Sequence, residues 1–124
     1  MSNSQQFEFV WGGTSKIQFT STGQATFAGD VIAFSDISVK ENIRTIDNAL
    51  DRVTKSRGVL YDRIDSGTKD NIGFIAQELE LEFPELISVN ADGTKGVKYQ
   101  NAVAVLFEAI KEQQQQINEL KNRK

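Results

Sequence analysis

The sequence predicts an α+β fold: an N-terminal β region that needs partner chains, a small mixed domain and a long C-terminal helix. Three observations support this prediction. Short stretches of alternating apolar and polar residues fill residues 1–34, helical and strand patterns are mixed in the middle, and a heptad repeat runs through the last quarter. At 124 residues, the chain has room for one domain with an appendage.

The segment 1–34 is predicted to contain three short strands. Apolar side chains fall on one strand face in residues 16–20 and 24–27, and a third short apolar stretch covers 31–34, with glycine-containing turns between the three. So few apolar side chains cannot offset the entropy lost when the backbone is ordered. We therefore expect several copies of the chain to interlock here as the end of a β-stalk.

The first helix of the following domain is predicted to run for about three turns and to end near Gly58. Its apolar residues have helical spacing: Ile46, Ala49, Leu50 and Val53. Thr45 is the preferred N-cap, and a capping box formed by Ser38 and Glu41 is the alternative.

The middle of the domain is predicted to alternate between short elements. They are a strand at 59–62, a polar loop at 66–71, a helix at 75–83 that Pro84 ends, and a hairpin formed by 87–89 and 97–99.

The last quarter of the chain is predicted to be one helix with a coiled-coil seam. Seven residues follow one another at alternating spacings of three and four, as the a and d positions of a coiled coil do. They are Val103, Leu106, Ile110, Gln113, Ile117, Leu120 and Lys124, and all but Gln113 and Lys124 are apolar. Gln113 places a polar layer in the seam, which costs stability and fixes register and strand number. An amphipathic helix packed on its own domain is the alternative interpretation.

Composition excludes several classes of chemistry. The chain has no His and no Cys, which rules out disulfides, thiolate nucleophiles, Cys/His zinc sites and His-based triads. We expect no metal and no cofactor. The net charge of −3 provides no basic surface for nucleic acid. No apolar run is long enough to span a membrane, and the N-terminus lacks a secretion-signal pattern, so we expect synthesis in the cytosol and no membrane partner.

Ser35 and Lys40 are the candidate nucleophile and general base. A Ser–Lys dyad requires a neutral lysine, whose pKa must be lowered by desolvation or nearby positive charge. A spacing of five matches neither one helix face nor one strand face. A turn, or a lysine from a neighbouring subunit, must therefore bring the groups together. The alternative is a serine at the start of a domain and a solvated lysine.

A series of collinear motifs resembles the peptidase S74 family, the C-terminal intramolecular chaperone domains of phage tail fibres, tailspikes and endosialidases. The similarity covers Ser35 to the C-terminus. Its motifs are Ser35-Asp36 with Lys40-Glu41-Asn42-Ile43, then 49–53, 58–62, 72–78, 83–86, 97–99 and 109–112. A basic residue is common in the family at the position of Ser38, and this chain departs from that pattern.

The resemblance implies a homotrimer in which residues 1–34 are the end of an intertwined β-stalk and residues 35–124 are an intramolecular chaperone and autoprocessing domain. It implies that the domain trimerises, assists folding of the upstream stalk and then releases itself by cutting the Phe34–Ser35 bond. Ser35 is then the nucleophile and Lys40 the base, with Asp36, Gln77 and Glu78 as supporting motif residues.

The same resemblance implies assembly in the cytoplasm of an infected bacterial host, with the stalk ending in the virion tail fibre or spike. A trimerisation module that does not cleave is the main alternative. A Ser–Lys hydrolase acting on other proteins is a second alternative.

Overall fold

The computed structural model describes residues 6–123 and divides into two compact units, Met1–Ile43 and Arg44–Lys124. Residues 1–5 of the expected stalk and Lys124, the last position of the expected heptad repeat, lie outside the described residues. The domain limits 1–34 and 35–124 do not coincide with this division and stay a prediction.

The first unit contains an antiparallel three-stranded sheet in the order β1-β2-β3. Its strands are β1 (Gln6–Trp11), β2 (Thr14–Thr20) and β3 (Ala25–Phe27). Gly12 and Gly13 connect the first two strands with φ angles of 59° and 75°. Two successive positive φ angles match the right-handed twist of a hairpin, and glycine adopts them without steric cost.

The expected strand at 31–34 is wrong, because those residues have no regular secondary structure. The third strand of the sheet is instead β1, which the sequence analysis did not assign. After β3, the amide of Ala28 donates a 2.9 Å hydrogen bond to the carbonyl of Lys16, and the chain then bends at Ala28 and Gly29. The bend directs the chain out of the β2–β3 ladder.

One face of this sheet is aromatic and exposed. Cross-strand pairing places Phe7 opposite Phe19, Phe9 opposite Ile17, and Ile17 opposite Phe27. Side chains of directly paired residues share a face. The four phenylalanines are between 39% and 61% exposed. Within the first unit, therefore, the aromatic side chains of the sheet are not covered by a second layer.

The second unit mixes short helices and two-stranded sheets and confirms the α+β prediction. Its elements are α1 (Ala49–Thr54), β4 (Val59–Tyr61), β5 (Asn71–Gly73), α2 (Ala76–Glu80), a 3₁₀ turn at Pro84–Leu86, β6 (Ile87–Val89), β7 (Lys95–Val97), a 3₁₀ turn at Tyr99–Asn101 and α3 (Ala102–Lys121). Strands β4 and β5 pair antiparallel, as do β6 and β7. The expected hairpin is present, with its second strand at 95–97 instead of 97–99.

A small apolar core joins α1, α2 and α3. Its buried side chains are Ala49, Leu79, Phe83, Leu86, Val105 and Ala109, and partly buried neighbours include Ile46, Leu50 and Phe74. Among residues 6–123, all buried apolar side chains belong to this second unit. The helix expected at 75–83 is shorter than predicted because Phe83 turns into the core and Pro84 begins the next turn.

Helix α1 begins later than the sequence predicts. Neither Thr45 nor a capping box at Ser38 starts it, since the helix begins at Ala49 and Ser38 lies in a 3₁₀ turn. Asn48, at the N-cap position, is left-handed with φ 52° and makes no side-chain capping bond. A left-handed residue interrupts a right-handed helix, so Ile46 joins the core from irregular chain.

Helix α3 has two different apolar faces. Val105 and Ala109 are buried against the rest of the unit, where α3 packs on α1. The expected apolar a and d residues are largely exposed: Val103, Leu106, Ile110, Ile117 and Leu120 are each 44% to 62% exposed. Packing on its own domain therefore occupies a neighbouring face and leaves the heptad stripe uncovered in the single chain.

Candidate active site

A tight turn follows Ser35 and Asp36 in the chain. The 3₁₀ turn at Ile37–Val39 is capped by Asp36, whose Oδ1 accepts a 2.8 Å hydrogen bond from the amide of Ser38. Two further backbone bonds close the turn, from Val39 to the carbonyl of Asp36 at 3.2 Å and from Lys40 to that of Ile37 at 3.1 Å. An aspartate before a turn forms this cap readily because its short side chain reaches the amide two residues on.

The turn brings Ser35 and Lys40 into contact. Lys40 Nζ donates a 2.5 Å hydrogen bond to Ser35 Oγ within the same chain. The spacing of five is thus bridged by a single 3₁₀ turn, and no second chain is needed to complete the pair. Both side chains are exposed in the single chain.

Hydrogen bonds from Ser38 lower the pKa of Asp36 below its ordinary value of 3.8. The side-chain interaction is the largest cause, followed by the backbone bond, and both favour the charged carboxylate. Asp36 is therefore ionised at neutral pH and holds the turn in the form that places Lys40 beside Ser35.

The peptide bond before Ser35 lies in exposed, irregular chain. Phe34 is 98% exposed, and Asp36 has extended backbone angles of φ −66° and ψ 142°. The Phe34–Ser35 peptide is therefore outside any strand or helix of the described residues. A serine next to this peptide, with an amine in contact, has the parts required for attack on a carbonyl.

The contact has two chemical forms. As an ammonium, Lys40 donates to Ser35 Oγ and does not accept its proton. As a neutral amine, it accepts the hydroxyl proton and makes Oγ a nucleophile. The contact between Lys40 Nζ and Ser35 Oγ is compatible with both forms.

Gln77 and Glu78 belong to the second unit, in the first turn of α2. Glu78 accepts two hydrogen bonds from Arg57, at 2.7 and 3.0 Å. The bond from Arg57 lowers the pKa of Glu78, and the Arg57 pKa is raised in turn. Gln77 is exposed. The contacts of Glu78 tie α2 to the chain before β4.

Three connections that the sequence analysis missed hold the second unit together. Glu112 on α3 accepts hydrogen bonds from the first amides of α1. Arg52 pairs with Glu85 at 2.8 Å and lies 4.3 Å from the centre of the Phe83 ring. The amide of Phe74 donates a 3.1 Å bond to Tyr99 Oη. Each joins residues far apart in sequence, which no local pattern indicates.

No cluster of acidic side chains within residues 6–123 is arranged to hold a metal ion. None of the helices in that same stretch combines the length and apolarity needed to cross a bilayer.

Residues 35–88 match the Peptidase_S74 family model, described as chaperone of endosialidase. The match begins at Ser35 and includes the turn, Lys40, α1 and α2.

Three relatives are long tail fiber proteins Gp37. Those of Enterobacteria phages Ox2 and M1 are each 37% identical over 124 residues, covering 93% of this chain and 47% of the relative. That of Salmonella phage S16 is 33% identical over 110 residues, covering 80% of this chain and 15% of the relative. The chain thus spans about half the length, or less, of these relatives.

Proposed function

Because residues 35–88 belong to the peptidase S74 family, we propose that this chain is an intramolecular chaperone for a phage tail fibre. It self-associates as a homotrimer, holds three copies of the upstream β-stalk in register and assists their folding. It then releases itself by cutting the Phe34–Ser35 bond. The single observation that carries the cleavage step is the 2.5 Å contact of Lys40 Nζ with Ser35 Oγ.

Two exposed apolar surfaces support self-association. The heptad stripe of α3 is uncovered although the helix already packs on its own domain through Val105 and Ala109. A repeat of this kind buries its residues against identical helices. The aromatic face of the β1-β2-β3 sheet likewise lacks a second layer within its unit. Parallel trimerisation covers the first surface and brings three copies of the second together.

A templated trimer has a physical advantage for a β-stalk. Intertwined strands make non-local contacts between chains, and such contacts form slowly because loop closure and encounter precede them. A helical seam forms faster and raises the effective concentration of the attached strands. After cleavage the seam is no longer linked to the stalk, so the stalk is held by its high barrier to unfolding.

The cleavage chemistry follows from the position of Ser35 on one side of the bond that breaks. Neutral Lys40 takes the proton of Ser35 Oγ, and Oγ adds to the carbonyl carbon of Phe34. The adduct collapses by breaking the C–N bond, and the proton held by Lys40 passes to the Ser35 nitrogen. An ester then joins the Phe34 carbonyl to Ser35 Oγ. Water hydrolyses it, leaving a Phe34 carboxylate and an amine at Ser35.

Exposure connects cleavage to assembly. Ser35 and Lys40 are both exposed in the single chain, where water competes with the contact between their side chains. Packing of three chains around the stalk junction excludes that water from the pair. Cleavage is then delayed until the trimer has formed, which is the order a folding template requires.

The experiment compares the mass of the purified parent chain with those of Ser35→Ala and Lys40→Ala under denaturing conditions. The parent gives two fragments that separate at Phe34–Ser35, and each variant gives one intact chain. Ser21→Ala and Lys16→Ala, at exposed residues outside the turn, are matched controls and are cut like the parent. Hydroxylamine added during cleavage captures the ester as a Phe34 hydroxamate. An intact parent under conditions where it is trimeric contradicts the peptidase function.

The second candidate function is a trimerisation module that does not cleave. The exposure of Ser35 and Lys40 favours it, because water reaches both side chains in the single chain. It predicts the same trimer by light scattering and one uncut mass for parent and variants alike. In either case we place the stalk in a virion tail fibre and its assembly in the cytoplasm of the infected host.

A further inference from the structure

An apolar cleft lies beside α3 in the second unit. Its volume is about 180 Å³, and its lining includes Phe74, Leu79, Phe83, Ala102, Val105 and Leu106. An apolar cavity of about 150 Å³ is large enough to bind benzene. The cleft therefore has room for one phenyl ring.

The cleft carries no unpaired charge that would call for a charged occupant. Arg57 is the charged residue in its lining, and both oxygens of Glu78 accept hydrogen bonds from it. The rest of the lining is apolar except for Ser56 and Gly58. A neutral, apolar side chain suits this site.

The heptad register connects the cleft to the exposed stripe of α3. With Val103 and Leu106 at positions a and d, Ala102 is at position g and Phe107 at position e. Leu106 belongs to both the stripe and the cleft lining, and Ala102 lies at the cleft wall. The cleft thus opens on the g side of the seam.

Phe107 is 65% exposed in the single chain. It cannot fill the cleft of its own chain, because residues five apart on a helix are about 140° apart around the axis. In a parallel coiled coil, however, a g residue faces the e residue of the next heptad in the neighbouring helix. That geometry places Phe107 of the partner subunit opposite Ala102.

The charge pattern along α3 agrees with a second copy as the occupant. The flanking g and e positions from Ala102 to Gln116 are Ala102, Phe107, Ala109, Gln114 and Gln116, and none is charged. Two such flanks meet without like-charge repulsion or a buried charge. Small alanines at g leave space for the larger residue at e.

We propose that Phe107 of the partner subunit inserts into the apolar cleft beside Ala102, so that each chaperone domain is completed by its neighbour's helix. This inference rests on the parallel self-association of the proposed function. It adds a specific contact: the seam joins the helices to each other, and the Phe107 contact joins each helix to the neighbour's domain.

The test uses one tryptophan as a reporter. Trp11 is the only tryptophan of the chain, so Phe107→Trp in a Trp11→Phe background has a single emitter in α3. Gln115→Trp in the same background is the matched control at the outward f position. Light scattering reports the mass of each protein, and tryptophan emission and acrylamide quenching are followed across the concentration range of assembly.

The expected result is a blue shift and a loss of acrylamide quenching for Phe107→Trp on assembly, with neither change for Gln115→Trp. If trimers form while position 107 stays as quenchable as position 115, the cleft contact is overturned and self-association stands. If neither protein nor the parent assembles, self-association fails and the inference fails with it.

A second variant covers the case in which tryptophan does not fit. Phe107→Ala in the parent background is expected to raise the concentration at which the trimer dissociates by at least about tenfold, since a buried aromatic side chain is lost from each contact. Gln115→Ala is expected to leave that concentration unchanged. Equal effects of the two alanine substitutions overturn the proposal.

Discussion

The carboxylate of Glu112 accepts a 2.7 Å hydrogen bond from the amide of Leu50, 62 residues earlier in the chain. Its other oxygen accepts a 3.1 Å bond from the amide of Ala49. These are the first two residues of α1, whose own N-cap Asn48 supplies no side-chain acceptor. Helix α3 therefore caps helix α1, and the cap determines where α1 begins and how α3 lies against it.

Replacing Glu112 by Ala is expected to lower the free energy of unfolding by about 1–2 kcal/mol, because two amides at the start of α1 lose their acceptor. Urea denaturation followed by circular dichroism measures the change. Glu119→Ala is the control, since Glu119 lies on the same helix and is exposed. A loss of equal size for both variants contradicts the capping role.

Gly73→Ala is expected to destabilise the second unit by about 1–3 kcal/mol, as overpacking does. A Cβ added at Gly73 would overlap with Tyr99 Oη. The Tyr99 ring is held in place by stacking on Phe74, with 5.7 Å between the two ring centroids. Thermal denaturation checks this. Gly29→Ala is the control, because an added Cβ there meets nothing within 4 Å.

The cause of the Gly73 effect is tested by combining it with Tyr99→Phe. That substitution removes the atom with which the new Cβ would collide, although it also removes the acceptor for the Phe74 amide. The double variant is expected to lose less stability than the two single losses added together. Additive losses would show that Gly73 matters for another reason.

Acid is expected to loosen the turn at Ile37–Val39. The pKa of Asp36 is lowered in the folded chain, so its contribution is fully present above the ordinary value of 3.8 and is lost as pH falls through the lower folded pKa. NMR follows this titration through the amide resonance of Ser38, because that amide donates to Asp36. Asp36→Asn keeps an acceptor oxygen but does not titrate, so the transition disappears. A transition that persists in Asp36→Asn excludes Asp36 as its source.

Ile110→Glu is expected to abolish self-association without unfolding the domain. Ile110 is 62% exposed and lies in the heptad stripe, whereas α3 packs on its own domain through other residues. A ring of carboxylates at an a position repels in the trimer and is solvated in the single chain. Light scattering reports the mass and circular dichroism the helix content. Gln115→Glu, outside the stripe, should assemble like the parent. A trimeric Ile110→Glu variant would show that the heptad stripe is not the interface between the chains.

Local patterns in the sequence predicted several elements correctly. Alternation over 16–20 and 24–27 corresponds to β2 and β3, the turn residues between 89 and 95 to the β6–β7 hairpin, and the long apolar periodicity to α3. These features depend on residues close together in the chain, where side-chain period and turn chemistry act directly. The Ser35 and Lys40 pair was identified from the same local segment, and its catalytic role stays a prediction.

The sequence by itself determined the types of β2, β3, the β6–β7 hairpin and α3, the exclusion of His and Cys chemistry, and a heptad stripe on α3. Only the tertiary structure decided where α1 starts, which face of α3 packs inward, and that residues 31–34 leave the sheet. The physical reason is the range of the interactions. Glu112 acts on α1, and Tyr99 on Gly73, through contacts between residues distant in sequence, which no local periodicity encodes.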